Sequence, residues 1–371
     1  RGTALYQRVD SGTGSLPAAR TKPKGETSAT GVQPAPTGDV TTQAADPQRS
    51  DSETIHSRSV QMGSERLGVV AKMDLVEVRA APAKPTQVLM GGGPDVDAAF
   101  KWMIQKAGGG NFVIIRSRGT DAYNPYVYAM GGVSSVETIT IPNREAANDP
   151  FVIARIQGAE ALFIAGGDQS DYLKFWKGTP VEAAIETLSS KNIPIGGTSA
   201  GLAVMSKFAF SALNGSITSA QALANPYDKA MTLERDFLTL PDMGGLIVDS
   251  HLDSRDRMGR LITFMARIVA DGWAPSVHGI GVDVETALLV EDGNATRVGI
   301  GSAYFLHTVG LPEVCKAKAP LTYRNIAAQR LSGSGSFDMR NWASYQGGTL
   351  NYSISAVKGV LSSSQANGSI Y

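Results

Sequence analysis

The sequence predicts an α/β fold, a three-layer arrangement around a mostly parallel sheet, and two features carry that prediction. Short apolar runs recur from about residue 86 onward and end in glycine clusters, and amphipathic helical periods lie between them. Strands that read as unbroken apolar runs are buried on both faces, as in parallel sheets covered by helices. A chain of 371 residues is long enough to bury a core of that kind.

The elements follow in order. Val88-Leu-Met90 is a strand stopped by Gly91-Gly-Gly-Pro94. Val96, Ala99, Phe100, Met103, Ile104 and Ala107 then recur at i, i+3, i+4, i+7, i+8 and i+11, one face of a helix that Gly108 ends. Residues 112–115 are a second buried strand, and residues 136–141 alternate apolar with polar as a third. A helix over 151–157 leads to a strand at 161–165 that ends in Gly166-Gly167. A helix over 181–188 leads to Ile193-Pro-Ile195, ending in Gly196-Gly197. Further strands are expected across 279–307, and a late β element from Pro320, clearest at 349–355 and 359–361. Open α/β sheets bind ligands beyond the carboxyl ends of their strands, where these glycine clusters fall.

Residues 1–84 have a different composition, rich in Gly, Ser, Thr, Pro and Ala with no sustained apolar period. Such a segment buries too little surface to offset its ordering entropy, so a mostly disordered leader is expected, with 67–71 and 75–78 as candidate edge strands. The folded domain is then 85–371. The chain opens on Arg1 rather than Met, which fits a leader that has been removed or trimmed. With 34 basic and 34 acidic residues the net charge is zero, which argues against general affinity for nucleic acid or anionic membranes. No apolar run approaches the length of a membrane span. Cys315 is the single cysteine, so an intrachain disulfide is excluded.

Gly197-Thr-Ser199-Ala-Gly201 is a G-x-S-x-G pattern between a buried strand and the apolar Leu202-Ala-Val-Met205. A serine on such a strand-to-helix turn is pushed out above the sheet, and the amide of Ala200 faces the oxyanion of a tetrahedral intermediate. The loop Gly166-Gly167-Asp168-Gln169 offers a second amide at Gly167 and a side-chain amide at Gln169. Taken alone, that loop reads better as a turn with a helix cap at Asp168 or Ser170. Four histidines exist, His56, His251, His278 and His307, and His251 is the best placed as a base because it follows the apolar run 245–248 at another strand end. Arg255, Arg257 and Arg260 follow it. They read as a solvated basic face or, if 257 and 260 share a helix face that 255 begins, as a carboxylate clamp. The third member of a triad stays open between Asp228, Glu234 and Asp236 on one side and Asp283 or Glu285 on the other.

Four stretches taken together resemble the cyanophycinase and aspartyl dipeptidase family of serine peptidases, from about residue 86 to the end. They are Gly166-Gly-Asp-Gln169, Gly197-Thr-Ser-Ala-Gly201, Asp249-x-His251 with the three arginines, and Gly279-Ile-Gly-Val-Asp283 followed by Thr286-Ala287. The resemblance implies a fold related to class I glutamine amidotransferases, a homodimer, and chemistry without metal or cofactor. The implied substrate is cyanophycin, a polyaspartate bearing arginine on each β-carboxyl, released as β-aspartyl-arginine. The implied roles are Ser199 as nucleophile, His251 as base and Gly167 with Ala200 as oxyanion donors. Gln169, Asp249, Ser250, Arg255, Arg257 and Arg260 are the implied substrate contacts. Ser250 stands where the family usually has glutamine, Leu252 where it has phenylalanine, and Val284 where an acid is common, so Glu285 is assigned as triad acid by proximity. A peptidase of short aspartyl or isoaspartyl peptides and a catalytically silent polymer-binding relative are the competing readings. The leader and β-rich tail look like those of exported members, so a secreted or periplasmic protein is expected, with a cytoplasmic one as the alternative.

Overall fold

The computed structural model describes residues 84–371 apart from 309 and 345, and the backbone alone of 55–64 and 69–77. Residues 1–54, 65–68 and 78–83, and with them most of the expected leader, lie outside the described residues. The chain divides into two units. In the smaller, Gly12–Ala80, β1 (Ile55–Ser64) pairs antiparallel with β2 (Val69–Glu77). Of the two candidate edge strands, residues 69–71 and 75–77 fall in β2 and 67–68 and 78 lie outside the described residues; His56 lies in β1.

The larger unit opens with β3 (Thr86–Met90), α1 (Asp97–Ala107), β4 (Asn111–Arg116), α2 (Tyr123–Tyr128) and β5 (Ser135–Thr140). It continues through α3 (Pro150–Gln157), β6 (Ala161–Ile164), α4 (Gln169–Trp176), α5 (Pro180–Ser190), β7 (Ile195–Thr198) and α6 (Ala200–Ala203). Then come β8 (Phe208–Phe210), α7 (Ser219–Ala224), β9 (Leu233–Arg235), β10 (Leu246–Asp249), α8 (Met258–Ala270) and β11 (His278–Val282). The rest is β: β12 (Thr286–Glu291), β13 (Asn294–Gly299), β14 (Ala303–His307), β15 (Tyr323–Leu331), β16 (Ser336–Asp338), β17 (Leu350–Val357) and β18 (Val360–Ser363).

The α/β class is as predicted, with its parallel strands gathered in two sheets rather than one. One eight-stranded sheet has the order β16-β13-β12-β3-β7-β6-β4-β5 and the other β18-β17-β15-β14-β11-β10-β8-β9. The strands β3, β7, β6, β4 and β5 run parallel, as do β8, β10 and β11, whereas β12, β13 and β16 in one sheet and β9, β14, β15, β17 and β18 in the other join by antiparallel pairing. The reason lies in the connections. Up to β11 helices separate most of the parallel strands, whereas β12 to β18 are joined without α-helices, and parallel neighbours need a longer crossover.

Alternation along the strands sorts residues between layers. Leu89 of β3 belongs to a core shared with Val248, Ile280 and Phe305 of the second sheet and with Trp176 and Ile185 from the helices. Its neighbours Val88 and Met90 face the opposite way, packing with Phe100 and Met103 of α1. The far side of the second sheet rests on α8 through Leu261, Phe264 and Met265. β7 begins at Ile195 and runs through Gly196 and Gly197, which the sequence marks as its stop. Side chains have no room there, since a Cβ on Gly197 would come within 2.7 Å of the Gly201 backbone.

Candidate active site

β7 ends at Thr198 and α6 begins at Ala200, so Ser199 alone turns the chain, at φ 53° and ψ −113°. That conformation is strained for a residue with a Cβ and persists only where surroundings enforce it. Here the Ser199 amide donates to the Met90 carbonyl at the end of β3, 3.1 Å away. Gly201 then passes so close to β6 that a Cβ would lie 2.0 Å from the Ile164 carbonyl oxygen. The serine is thereby held above the carboxyl ends of three parallel strands.

His251 reaches the same place from the second sheet. It lies two residues beyond β10 at φ 49°, with its amide donating to the Gly91 carbonyl at 2.8 Å. Its Nε2 stands 2.9 Å from Ser199 Oγ, within reach for proton transfer. The imidazole rests on Gly92, whose φ is +90° and whose absent Cβ would sit 2.4 Å from Nε2. The sequence presents Gly91-Gly-Gly93 only as a stop after β3, so its part in seating the base is a tertiary fact. Gly92→Ala is expected to displace the ring and lower kcat/KM by about 100-fold while the fold persists. Steady-state kinetics beside circular dichroism would check this, and a loss under about threefold would show that the ring does not depend on Gly92.

Burial pushes the His251 imidazole down to about 4, aided by the Arg255 and Arg257 cations and opposed by Asp249. The ring is therefore uncharged at neutral pH and able to accept the serine proton. Since the charged form is inactive as a base, kcat/KM is expected to rise through a pH near 4 and then level off. Removing a cation raises the imidazole pKa, so Arg255→Gln is expected to shift this acid limb upward, measured as a pH–rate profile. An acid limb near 6.5 in the wild type would contradict the buried, cation-flanked base.

The structure does not bring Glu285 to the imidazole. Among the described residues no carboxylate hydrogen-bonds His251; its one such side-chain contact is Ser199. Glu285 sits at φ +51° in the turn between β11 and β12, and its backbone amide donates to the Gly92 carbonyl at 2.9 Å. Its contribution is thus to the glycine floor under the ring. Asp283 is occupied by the amides of Asp253 and Ser302, at 3.2 and 2.9 Å, and burial followed by the Asp253 carboxylate pushes it up to about 6. Asp228 caps Ala230, Glu234 pairs with Lys177 at 2.9 Å, and Asp236 lies 4.0 Å from Lys207.

Ser199 opens into a cavity of about 290 Å³ that gathers nine of the eleven sequence-derived site residues. Gly167, Gln169 and Ala200 line it with the serine on one side, and Asp249, Ser250, Arg255, Arg257 and Arg260 on the other. The Ala200 amide is the first of a helical turn and has no acceptor within it. Asp168 caps α4 by accepting from the Ser170 amide at 2.9 Å, so the plain turn reading of that loop coexists with its place on the cavity. Gln169 Nε2 donates to the Phe210 carbonyl at 3.3 Å.

The arginines do not act as one clamp. Arg260 is buried and grips Asp249 at both ends, Nε to Oδ2 at 2.7 Å and Nη2 to Oδ1 at 2.6 Å, over the rings of Phe210 and Phe264. These two charges neutralise each other, so neither is free for substrate as expected. α8 starts at Met258, placing Arg255 and Arg257 in the turn before it rather than on its face. Arg257 is half-buried and donates to the Ser250 carbonyl at 2.8 Å, while Arg255 is exposed. Phe210, Ala212 and Ser216 also line the cavity and were missed, because 208–217 carries no motif; the alternating Phe208-Ala-Phe210 was the available signal. No group of three or more His, Cys, Asp or Glu among the described residues is placed to hold a metal ion, and no described helix is long and apolar enough to cross a membrane.

A serine held in a strained strand-to-helix elbow and bonded to an uncharged imidazole defines a class, the serine hydrolases on an α/β sheet. Comparison with known proteins refines it. The profile of peptidase family S51 matches residues 123–298, which contain Ser199 and His251. The cyanophycinase of Trichormus variabilis is 30% identical over 214 residues, 56% of this chain and 66% of that protein. The one of Synechococcus elongatus is 27% identical over 216 residues, 56% of this chain and 62% of its own length. The matched region thus spans about two thirds of these relatives or less. A solved peptidase from an acI-B1 actinobacterium is 17% identical, covering 70% of this chain and 98% of that one at a TM-score of 0.49. Over residues 123–298, the segment that carries the elbow and its base, the chain is similar to peptidase family S51.

Proposed function

We propose that this protein is a serine peptidase that removes β-aspartyl-arginine units from cyanophycin. The observation that carries the proposal is the 2.9 Å contact between Ser199 and His251 on a cavity lined also by the exposed Arg255 and the half-buried Arg257. Ser199 Oγ attacks the scissile carbonyl carbon as its proton passes to His251 Nε2. The amides of Gly167 and Ala200 hold the oxyanion, and His251 returns the proton to the leaving amine. Water then attacks the acyl-enzyme through the same base. Arg255 and Arg257 receive carboxylates of the substrate, and Asp168, exposed at the rim, offers a carboxylate oxygen to a guanidinium. A volume of about 290 Å³ is at the small end of ligand sites, which suits a dipeptide-sized unit taken from a chain end.

That same small volume favours one second reading, a peptidase of free aspartyl or isoaspartyl peptides. Incubation with insoluble cyanophycin, following clearing and product mass, separates the two. Clearing to β-aspartyl-arginine is expected. Cleavage of short aspartyl peptides with the polymer left intact would replace the first reading by the second, and no release from either would sink both.

A further inference from the structure

The turn that carries Arg255 and Arg257 is fastened from the far end of the chain. Helix α8 begins without a cap of its own: Arg257 occupies the N-cap position in αR geometry, and its side chain makes no capping bond. The first amides of a helix have no acceptor within it and need one from elsewhere. Tyr371 supplies it. Its hydroxyl accepts from the Met258 amide at 3.1 Å and donates to Asp256 Oδ1 at 2.8 Å, using both of its hydrogen-bonding capacities. Asp256 is the residue between the two arginines and sits at φ +47°, a conformation that needs outside support. Ser219 Oγ gives a second support by donating to the Asp256 carbonyl.

Tyr371 is itself anchored. Tyr352 on β17 donates to the Ile370 carbonyl at 3.1 Å, and Tyr304 meets the Tyr371 ring edge-on at 6.0 Å. The phenol is held well above its ordinary range by burial, so it keeps its proton and remains a donor to Asp256. The turn bonds back to the base through Arg255 N to the His251 carbonyl at 3.2 Å and Arg257 N to the Leu252 carbonyl at 2.8 Å, but the base also has moorings of its own, His251 N to the Gly91 carbonyl at 2.8 Å and Leu252 N to the Val282 carbonyl at 3.2 Å. Loosening the clamp therefore releases the arginines while leaving the serine–imidazole contact in place.

We infer that Tyr371 is a positioning residue that sets the aim of Arg255 and Arg257 and so tunes affinity for acidic substrates. The inference rests on the peptidase reading above for its substrate, but one of its readouts does not.

The test is Tyr371→Phe, which deletes the hydroxyl and keeps the ring. KM for cyanophycin is expected to rise about tenfold with kcat nearly unchanged, the size of one lost hydrogen bond to a charged group. The acid limb of Ser199 labelling by a fluorophosphonate probe is also expected to move upward, because freed cations spend less time near His251. Asp256→Asn keeps the acceptor and should stay within about threefold of wild type, whereas Asp256→Ala should reproduce Tyr371→Phe without adding to it. An unchanged KM together with an unmoved labelling profile would overturn the inference, as would equal falls in kcat and labelling rate. If the wild type cleaves no aspartyl substrate the peptidase reading fails, and the labelling profile alone then decides for or against the clamp.

Discussion

Ser199→Ala is expected to lower kcat on cyanophycin by about 10⁴-fold or more and to leave KM little changed. The reason is that Ser199 forms the covalent bond and the other groups serve that step. Residual catalysis of about 10³-fold over water is expected to survive, from oxyanion donors and substrate binding alone. His251 would lose its proton source, since Oγ is its one hydrogen-bonding side-chain partner among the described residues. Two measurements check this, product release by mass and labelling by a fluorophosphonate. Wild type should label and the variant should not. Unchanged turnover in the variant would place the nucleophile elsewhere, and a wild type that neither labels nor turns over would be a silent member of the family.

Asp249→Ala is expected to destabilise the protein by about 3–5 kcal/mol, because it leaves a buried guanidinium without its counter-ion. The side chains of Asp249 and Arg260 are only 4% and 3% exposed and meet in a two-bond fork. The remaining neighbours of Arg260 are weaker substitutes: the Ile217 carbonyl at 3.3 Å, Ser216 Oγ at 3.4 Å and two phenyl faces. The same variant also loses the Asp249 Oδ1 bond to the Ser250 amide, 2.9 Å long, and with it the local turn that leads to His251. Asp249→Asn keeps an acceptor for Ser250 and should cost less. Replacing both partners with apolar residues should also be milder than removing one, since no lone charge remains. Urea unfolding would report the effect as a lower midpoint at constant slope. A change under about 1 kcal/mol would mean that water, or carbonyls such as that of Ile217, solvates the guanidinium left behind.

These predictions draw unequally on what the chain shows before it folds. The helix at α1 was legible because its apolar face repeats every three or four residues and Gly108 ends it in the left-handed region at φ 68°. The strands β3, β4 and β6 were legible because both of their faces are buried, which leaves unbroken apolar runs. β7 was placed too early, since two of its four residues are glycine and glycine reads as a stop; its strand character comes from β3 and β6 on either side. The split into two sheets was not legible. Strand partners are set by which apolar faces meet, and Leu288 opposite Leu89 joins residues about two hundred positions apart.

The α/β class, the serine elbow and the histidine that follows β10 could be read along the chain, because each depends on neighbours a few residues away. Tertiary structure decided how the charges are spent. Arg260 and Asp249 cancel inside the protein, Arg255 and Arg257 line the cavity, and the Glu285 amide bonds the Gly92 carbonyl while its carboxylate makes no bond to His251. Those outcomes depend on burial and on contacts between distant segments. The free energy of a charge is set by what surrounds it in space, which spacing along the chain does not record.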